Sequence, residues 1–212
     1  MTTKERYEKV IAFFEKTLPD PKTELNYKTP YELMVAVMLS AQCTDVRVNK
    51  ITPQLFEVYP DFKALANTTP DKVFELIKSC SYPNNKAKHL VNAARKVLAD
   101  FNGRLPDTVE DLQKIPGIGR KSANVLVSII YNKPAIAVDT HVFRVANRIG
   151  LAKGKTPLEV EKQLTKHFPE HLLPKAHHWL ILHGRYVCKK INPDCKNCGL
   201  KEICKFYNTQ KK

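Results

Sequence analysis

Three features of this 212-residue sequence can do chemistry. Lys121 stands in Ile115-Pro116-Gly117-Ile118-Gly119-Arg120-Lys121-Ser122-Ala123, at the predicted start of a helix. The positive end of the helix dipole and the neighbouring Arg120 both disfavour another cation there. That favours the neutral amine, the form that attacks carbon. The same lysine could equally grip a phosphate. Asp139 precedes Thr140-His141-Val142-Phe143-Arg144, a predicted helix, and a carboxylate at that place is a natural N-cap. A capping bond would also fix the carboxylate in position. Fixed, it can stabilise positive charge developing on a sugar, or take a proton from an attacking amine. Last, Cys188, Cys195, Cys198 and Cys204 give the spacing C-x6-C-x2-C-x5-C. Four thiolates suit a tetrahedral zinc ion or a [4Fe–4S] cluster, and the single C-x2-C pair leaves both open. Cys43 and Cys80 stand alone amid apolar residues and read as small buried hydrophobes.

The elements that must position these residues read as helix after helix. Thr29-Pro30-Tyr31-Glu32 and Thr156-Pro157-Leu158-Glu159 each place a capping threonine, a first-turn proline and a glutamate three residues on. Asp107-Thr108-Val109-Glu110 repeats the pattern without proline, and Thr69-Pro70-Asp71 carries half of it. From Lys86, apolar residues at 87, 90, 91, 94, 97 and 98 form a helical stripe that ends before Asn102-Gly103. Ala176, Trp179, Leu180, His183, Tyr186 and Val187 form another. Residues 31–41 are apolar nearly all round and predict a central buried helix. The runs 125–130 and 135–138 could each be strands; their surroundings predict a buried helix and an extended connector. The fold class is all-α, with about ten helices and no sheet.

Between the helix ending near Lys114 and the one starting near Arg120 lies a tight turn with Gly117 and Gly119. Glycine permits positive φ and close backbone approach. Amides at the new helix's start point outward and make an anion site. Charge fits such a partner: 35 Lys and Arg against 21 Asp and Glu leave +14, which favours a polyanion. An anionic membrane surface fits less well, because no helix sets lysines opposite a wide apolar face. No apolar run approaches the ~20 residues that span a bilayer. The chain reads as soluble, with no membrane partner.

Together these stretches closely resemble the helix-hairpin-helix motif of DNA repair enzymes, and the endonuclease III family in particular. The resemblance runs through Leu39-Ser40-Ala41-Gln42-Cys43-Thr44-Asp45, the glycine hairpin, Ala137 to Arg144, His178-Trp179-Leu180-Ile181-Leu182-His183-Gly184 and the four cysteines. It implies two helical lobes: residues 22–133 as a six-helix barrel-like domain with the hairpin at about 108–130, and residues 1–21 with 134–212 as a second, carrying a cluster loop at 188–204. Lys121 and Asp139 would then face each other across the cleft between them. It further implies a DNA glycosylase that releases oxidised pyrimidines from duplex DNA, and an abasic-site lyase. Lys121 would attack the sugar C1′, form a Schiff base and cut 3′ to the lesion by β-elimination, with Asp139 as the catalytic carboxylate.

The four cysteines would hold a [4Fe–4S] cluster, and Gln42 would fill the space left by a flipped base. Many members have Gly-Leu-Tyr-Asn where this chain has Ser81-Tyr82-Pro83-Asn84, so Tyr82 takes the place of the wedge leucine. Gly117, Gly119, Arg120, His141, Lys190 and Lys196 complete the expected DNA contacts. The expected protein is a cytoplasmic bacterial monomer, at the nucleoid through DNA. Two rival readings are a DNA-binding module without catalysis and a glycosylase without lyase activity.

Overall fold

The computed structural model describes residues 1–210, and these contain helices and no strand. In chain order the helices are α1 (Thr3–Thr17), α2 (Pro30–Leu39), α3 (Asp45–Val58), α4 (Phe62–Ala66), α5 (Pro70–Ile77) and α6 (Pro83–Phe101). There follow α7 (Val109–Leu112), α8 (Arg120–Tyr131), α9 (Thr140–Ile149), α10 (Pro157–His167), α11 (Leu173–Tyr186) and α12 (Lys205–Gln210). Among the described residues twelve α-helices exceed the expected ten or so, because α4, α7 and α12 hold only five, four and six residues. Helices that short carry too few apolar repeats to show a period. Residues 125–130 are helical, and 135–138 form neither helix nor strand. Among the described residues no helix is long and apolar enough to cross a membrane.

The caps mostly follow the sequence signals. Thr29 accepts from the Glu32 amide at 3.2 Å and Thr156 from the Glu159 amide at 3.3 Å. Thr69 caps α5 by backbone alone. The cap of α7 is Thr108, not Asp107, accepting from the Asp111 amide at 3.1 Å. A reciprocal capping box, which the sequence reading missed, stands at α1: Thr2 and Glu5 exchange bonds of 2.8 and 3.2 Å.

The chain divides into two compact units. The first, Thr23–Tyr131, centres on α2, where every residue from Leu33 to Leu39 is buried. Such all-round burial, at roughly 1.5–3 kcal/mol gross for each large side chain, needs neighbours on several sides. α3, α6 and α8 supply them. The stripe of α6 is buried through Val97, while Leu98 is 37% exposed at its edge.

The second unit joins Met1–Lys22 to the chain from Asn132 onward. Its core gathers Tyr7, Val10 and Phe14 from α1 with Val142, Val145 and Ile149 from α9 and Leu173, Trp179 and Leu180 from α11. Phe14 stacks on Trp179, with centroids 5.5 Å apart, and the Trp179 indole donates to the Leu18 carbonyl at 2.7 Å. Buried Arg6 donates from Nη1 to the carbonyls of Ile149 and Ile203. The apolar stripe of α11 stops at His183; Tyr186 is exposed.

Candidate active site and cysteine-lined cavity

The glycine hairpin ends α7 and begins α8. Ile118 N–H closes the turn on the Ile115 carbonyl at 3.1 Å, and the Gly119 carbonyl starts α8 by accepting from Ala123 at 2.9 Å. Gly117 has φ +83°, and an added Cβ would lie 2.8 Å from both His89 Cβ and Met38 Cε. Glycine is thus required twice over, by conformation and by space. Gly119 has open space where a side chain would go. Arg120 and Lys121 are the first two residues of α8 and both are exposed. A helix start of this kind presents amides and a positive dipole end to an anion.

Gln42 and Tyr82 come together in the same unit. Both are exposed and both have φ +54°, left-handed backbone that a non-glycine residue holds only at some cost. The Ser81 hydroxyl donates to the Gln42 carbonyl at 2.5 Å, which joins the turn after α2 to the turn before α6. Lys86 is buried and donates from Nζ to the Leu39 carbonyl at 2.8 Å, at the negative end of α2. The two supposedly solitary cysteines meet in the same place: Cys43 Sγ and Cys80 Sγ are 3.4 Å apart. Their separation of 37 residues in sequence hid this pairing.

Asp139 lies in the second unit as the N-cap of α9, its Oδ1 accepting from the Val142 amide at 2.7 Å. Before it, the connector is held by His177, whose Nδ1 donates to the Ala137 carbonyl at 2.9 Å. His141 Nδ1 is 3.1 Å from Arg144 Nη2. Arginine only donates, so Nδ1 accepts and the ring proton sits on Nε2, facing away from the bond. Arg144 also donates to the Gly184 carbonyl at 2.8 Å and to the Cys188 carbonyl at 3.0 Å.

Cys188, Cys195, Cys198 and Cys204 line one cavity of about 340 Å³, open mouth included, with apolar walls from Ile149, Leu200 and Phe206. Among the described residues, no three His, Cys, Asp or Glu side chains converge closely enough to hold a single metal ion. Burial first, then the other thiols around the same space, pushes Cys195 upward. Burial is also the main upward influence on Cys198 and Cys204. His183 lies 3.7 Å from Cys198 Sγ, and burial lowers it to about 4, so it is neutral there.

Arg148 holds the other side of the loop. Its Nη1 is 3.6 Å from Cys188 Sγ and donates to the Lys189 carbonyl at 2.7 Å, Nη2 donates to the Lys190 carbonyl, and the guanidinium lies over the Phe206 ring. Neither Arg144 nor Arg148 stands out as functional in the sequence. Their i, i+4 spacing on α9, with the apolar positions on another face, was the available signal. Lys190 and Lys196 are exposed and form no ion pair among the described residues.

A glycine hairpin opening onto an exposed lysine, in an all-helical chain with a four-cysteine loop, defines a helix-hairpin-helix protein. Residues 35–170 match the family model of the HhH-GPD superfamily base excision DNA repair proteins. The endonuclease III of Rickettsia felis is 47% identical over 201 residues, 95% of this chain and 94% of its own length. A trapped endonuclease III–DNA covalent intermediate superposes with a TM-score of 0.94 at 38% identity, covering all of both chains. A non-covalent endonuclease III–DNA complex gives 0.94 at 39%, covering 100% of this chain and 99% of that one. The chain belongs to the HhH-GPD superfamily of base excision DNA repair proteins and, within it, to the endonuclease III family.

Proposed function

We propose that this chain excises oxidised pyrimidines from double-stranded DNA and cuts the strand 3′ to the resulting site, with Lys121 as nucleophile. The observation that carries the reading is an exposed amine in the first turn of α8, directly after a hairpin whose Gly117 combines positive φ with a close approach to His89 and Met38. The hairpin grips a phosphate through backbone amides, which is independent of sequence. Lys121 Nζ attacks C1′ and the base leaves. The ring opens to a Schiff base between Lys121 and C1′, a proton is lost from C2′, and the C3′–O bond breaks. Asp139, held by its cap, accepts the proton of the attacking amine and stabilises the positive charge at C1′. Gln42 and Tyr82 occupy the space of the flipped nucleotide, and Arg120 and His141 contact the strand. A trapped covalent complex with DNA is known for a structure this similar.

The cysteine loop fits a [4Fe–4S] cluster better than one zinc. Zinc at about 2.3 Å from each sulfur requires four thiolates converging on a point. Here four cysteines surround a cavity instead, with the Arg148 cation beside Cys188. Cys188, Cys195, Cys198 and Cys204 would hold the cluster, whose part when bound is to brace the loop that presents Lys190 and Lys196 to the DNA backbone. Residues 22–133, with the seven helices α2 to α8, act as a barrel-like hairpin domain, and residues 1–21 with 134–212 as the cluster domain. The protein works as a monomer on bacterial DNA in the cytoplasm.

Borohydride reduction during turnover on a duplex carrying thymine glycol tests the reading. Wild type gives a covalent protein–DNA adduct and Lys121→Ala gives none. A wild type that releases base without an adduct is a glycosylase alone. A protein that binds without releasing base is a hairpin module.

A further inference from the structure

Cys43 and Cys80 take no part in the reaction above, yet they sit where they can govern it. Cys43 follows Gln42 directly, and Cys80 is separated from Tyr82 only by Ser81. Their sulfurs are 3.4 Å apart, against about 2.04 Å in a disulfide. The turns that carry them are already tied by Ser81 to Gln42 and by Lys86 to Leu39, so little chain freedom remains to be lost on closing the bond. Cys43 is partly exposed and Cys80 buried.

We propose that Cys43 and Cys80 form a reversible disulfide that clamps the two turns bearing Gln42 and Tyr82 and lowers affinity for lesion-bearing DNA. This rests on the reading that those two residues enter the duplex. The Cys43 thiolate attacks a low-molecular-weight disulfide, whose S–S bond breaks and releases one thiolate. Cys80 loses its proton to solvent and attacks Cys43 Sγ, expelling the second thiolate as the intramolecular bond forms. Two protein thiols are oxidised and one small disulfide becomes two thiols. The order follows exposure. Burial and the adjacent Cys43 push the Cys80 thiol up to about 11, so Cys43 reacts first and Cys80 resolves. Drawing the sulfurs together by more than 1 Å shifts the turns relative to each other. A displacement of about 1 Å at a positioning residue can lower activity about 10²-fold.

The test treats the purified full chain anaerobically with oxidised glutathione, then maps disulfides by peptide mass spectrometry. Binding to a duplex with a stable abasic-site analogue is measured before and after. The expected result is a Cys43–Cys80 linked peptide and an affinity clearly lower than that of the reduced protein. Reductant restores it, and Cys80→Ser and Cys43→Ser each abolish the response. Because both variants meet the same oxidant at the late cysteines, damage there shows as a loss they share with wild type. No linked peptide, or a linked peptide with unchanged affinity, overturns the proposal. Failure of the reduced enzyme to bind lesion DNA instead counts against the proposed function, and the peptide map still decides whether the pair closes.

Discussion

Replacing Asp139 by asparagine separates the two uses of its carboxylate. The bond to the Val142 amide, 2.7 Å in the structure, needs only an acceptor oxygen, and asparagine caps about as well as aspartate. What asparagine lacks is charge, which at a helix start is worth about 0.3–1 kcal/mol. For a chain of this length 1 kcal/mol moves Tm by about 2–4 °C, so Asp139→Asn should melt within about 4 °C of wild type. Asp139→Ala removes the cap as well, for a loss of about 0.5–2 kcal/mol. The effect on chemistry runs the other way. A charge placed at the developing cation, and able to take the amine proton, contributes about 10²–10³-fold. Single-turnover base release should therefore fall by that factor in both variants, while melting distinguishes them. An asparagine variant that excises base at the wild-type rate would show Asp139 to be a cap and nothing more.

Gly117→Ala should lower Tm by about 4 °C or more, since positive φ alone disfavours alanine by about 1–3 kcal/mol and its Cβ meets His89 and Met38. Unchanged melting would mean that the turn relaxes freely. Lys190→Glu and Lys196→Glu should each weaken duplex binding and reduce the slope of log K against log salt by about one; a salt slope equal to wild type would remove them from the interface. Acid should destabilise the fold early. Burial, then the charge of His177, lowers His178 to about 3 from an ordinary value of 6.5. Below pH 6.5 the unfolded chain takes up a proton that the folded chain refuses. Stability is therefore full above pH 6.5 and is lost as pH falls toward 3, by up to about 1.4 kcal/mol per pH unit. Melting curves from pH 7 to 4.5 should show this decline, and a flat Tm would refute it.

Much of this was legible in the residues because local rules carried it. Thr29 and Thr156 announce their helices by hydrogen bonds made within four residues. The apolar girth of α2 can mean only burial. Gly117 is fixed by a turn, and Asp139 by the helix that follows it. What stayed hidden depends on distance along the chain. Cys43 and Cys80 look solitary until α2 and α6 bring their turns together. Arg144 and Arg148 look like surface charges until the carbonyls of Gly184, Cys188, Lys189 and Lys190 arrive beside them. Thr108 displaced Asp107 as a cap because both residue types cap well and only the backbone decides which one turns first.

The bonds of Arg6 also order events during synthesis. Its acceptors, the carbonyls of Ile149 and Ile203, lie 143 and 197 residues further on. At about 5–20 residues per second, Ile203 is made roughly 10–40 s after Arg6. The unit Thr23–Tyr131 is continuous and can fold as soon as it leaves the ribosome. Meanwhile α1, with Tyr7, Val10 and Phe14 on its apolar face, has no core to join until the last helices emerge. For that interval the nascent chain carries a sticky amphipathic helix, and a ribosome stalled before α11 leaves it uncovered, a ready target for chaperones or proteases.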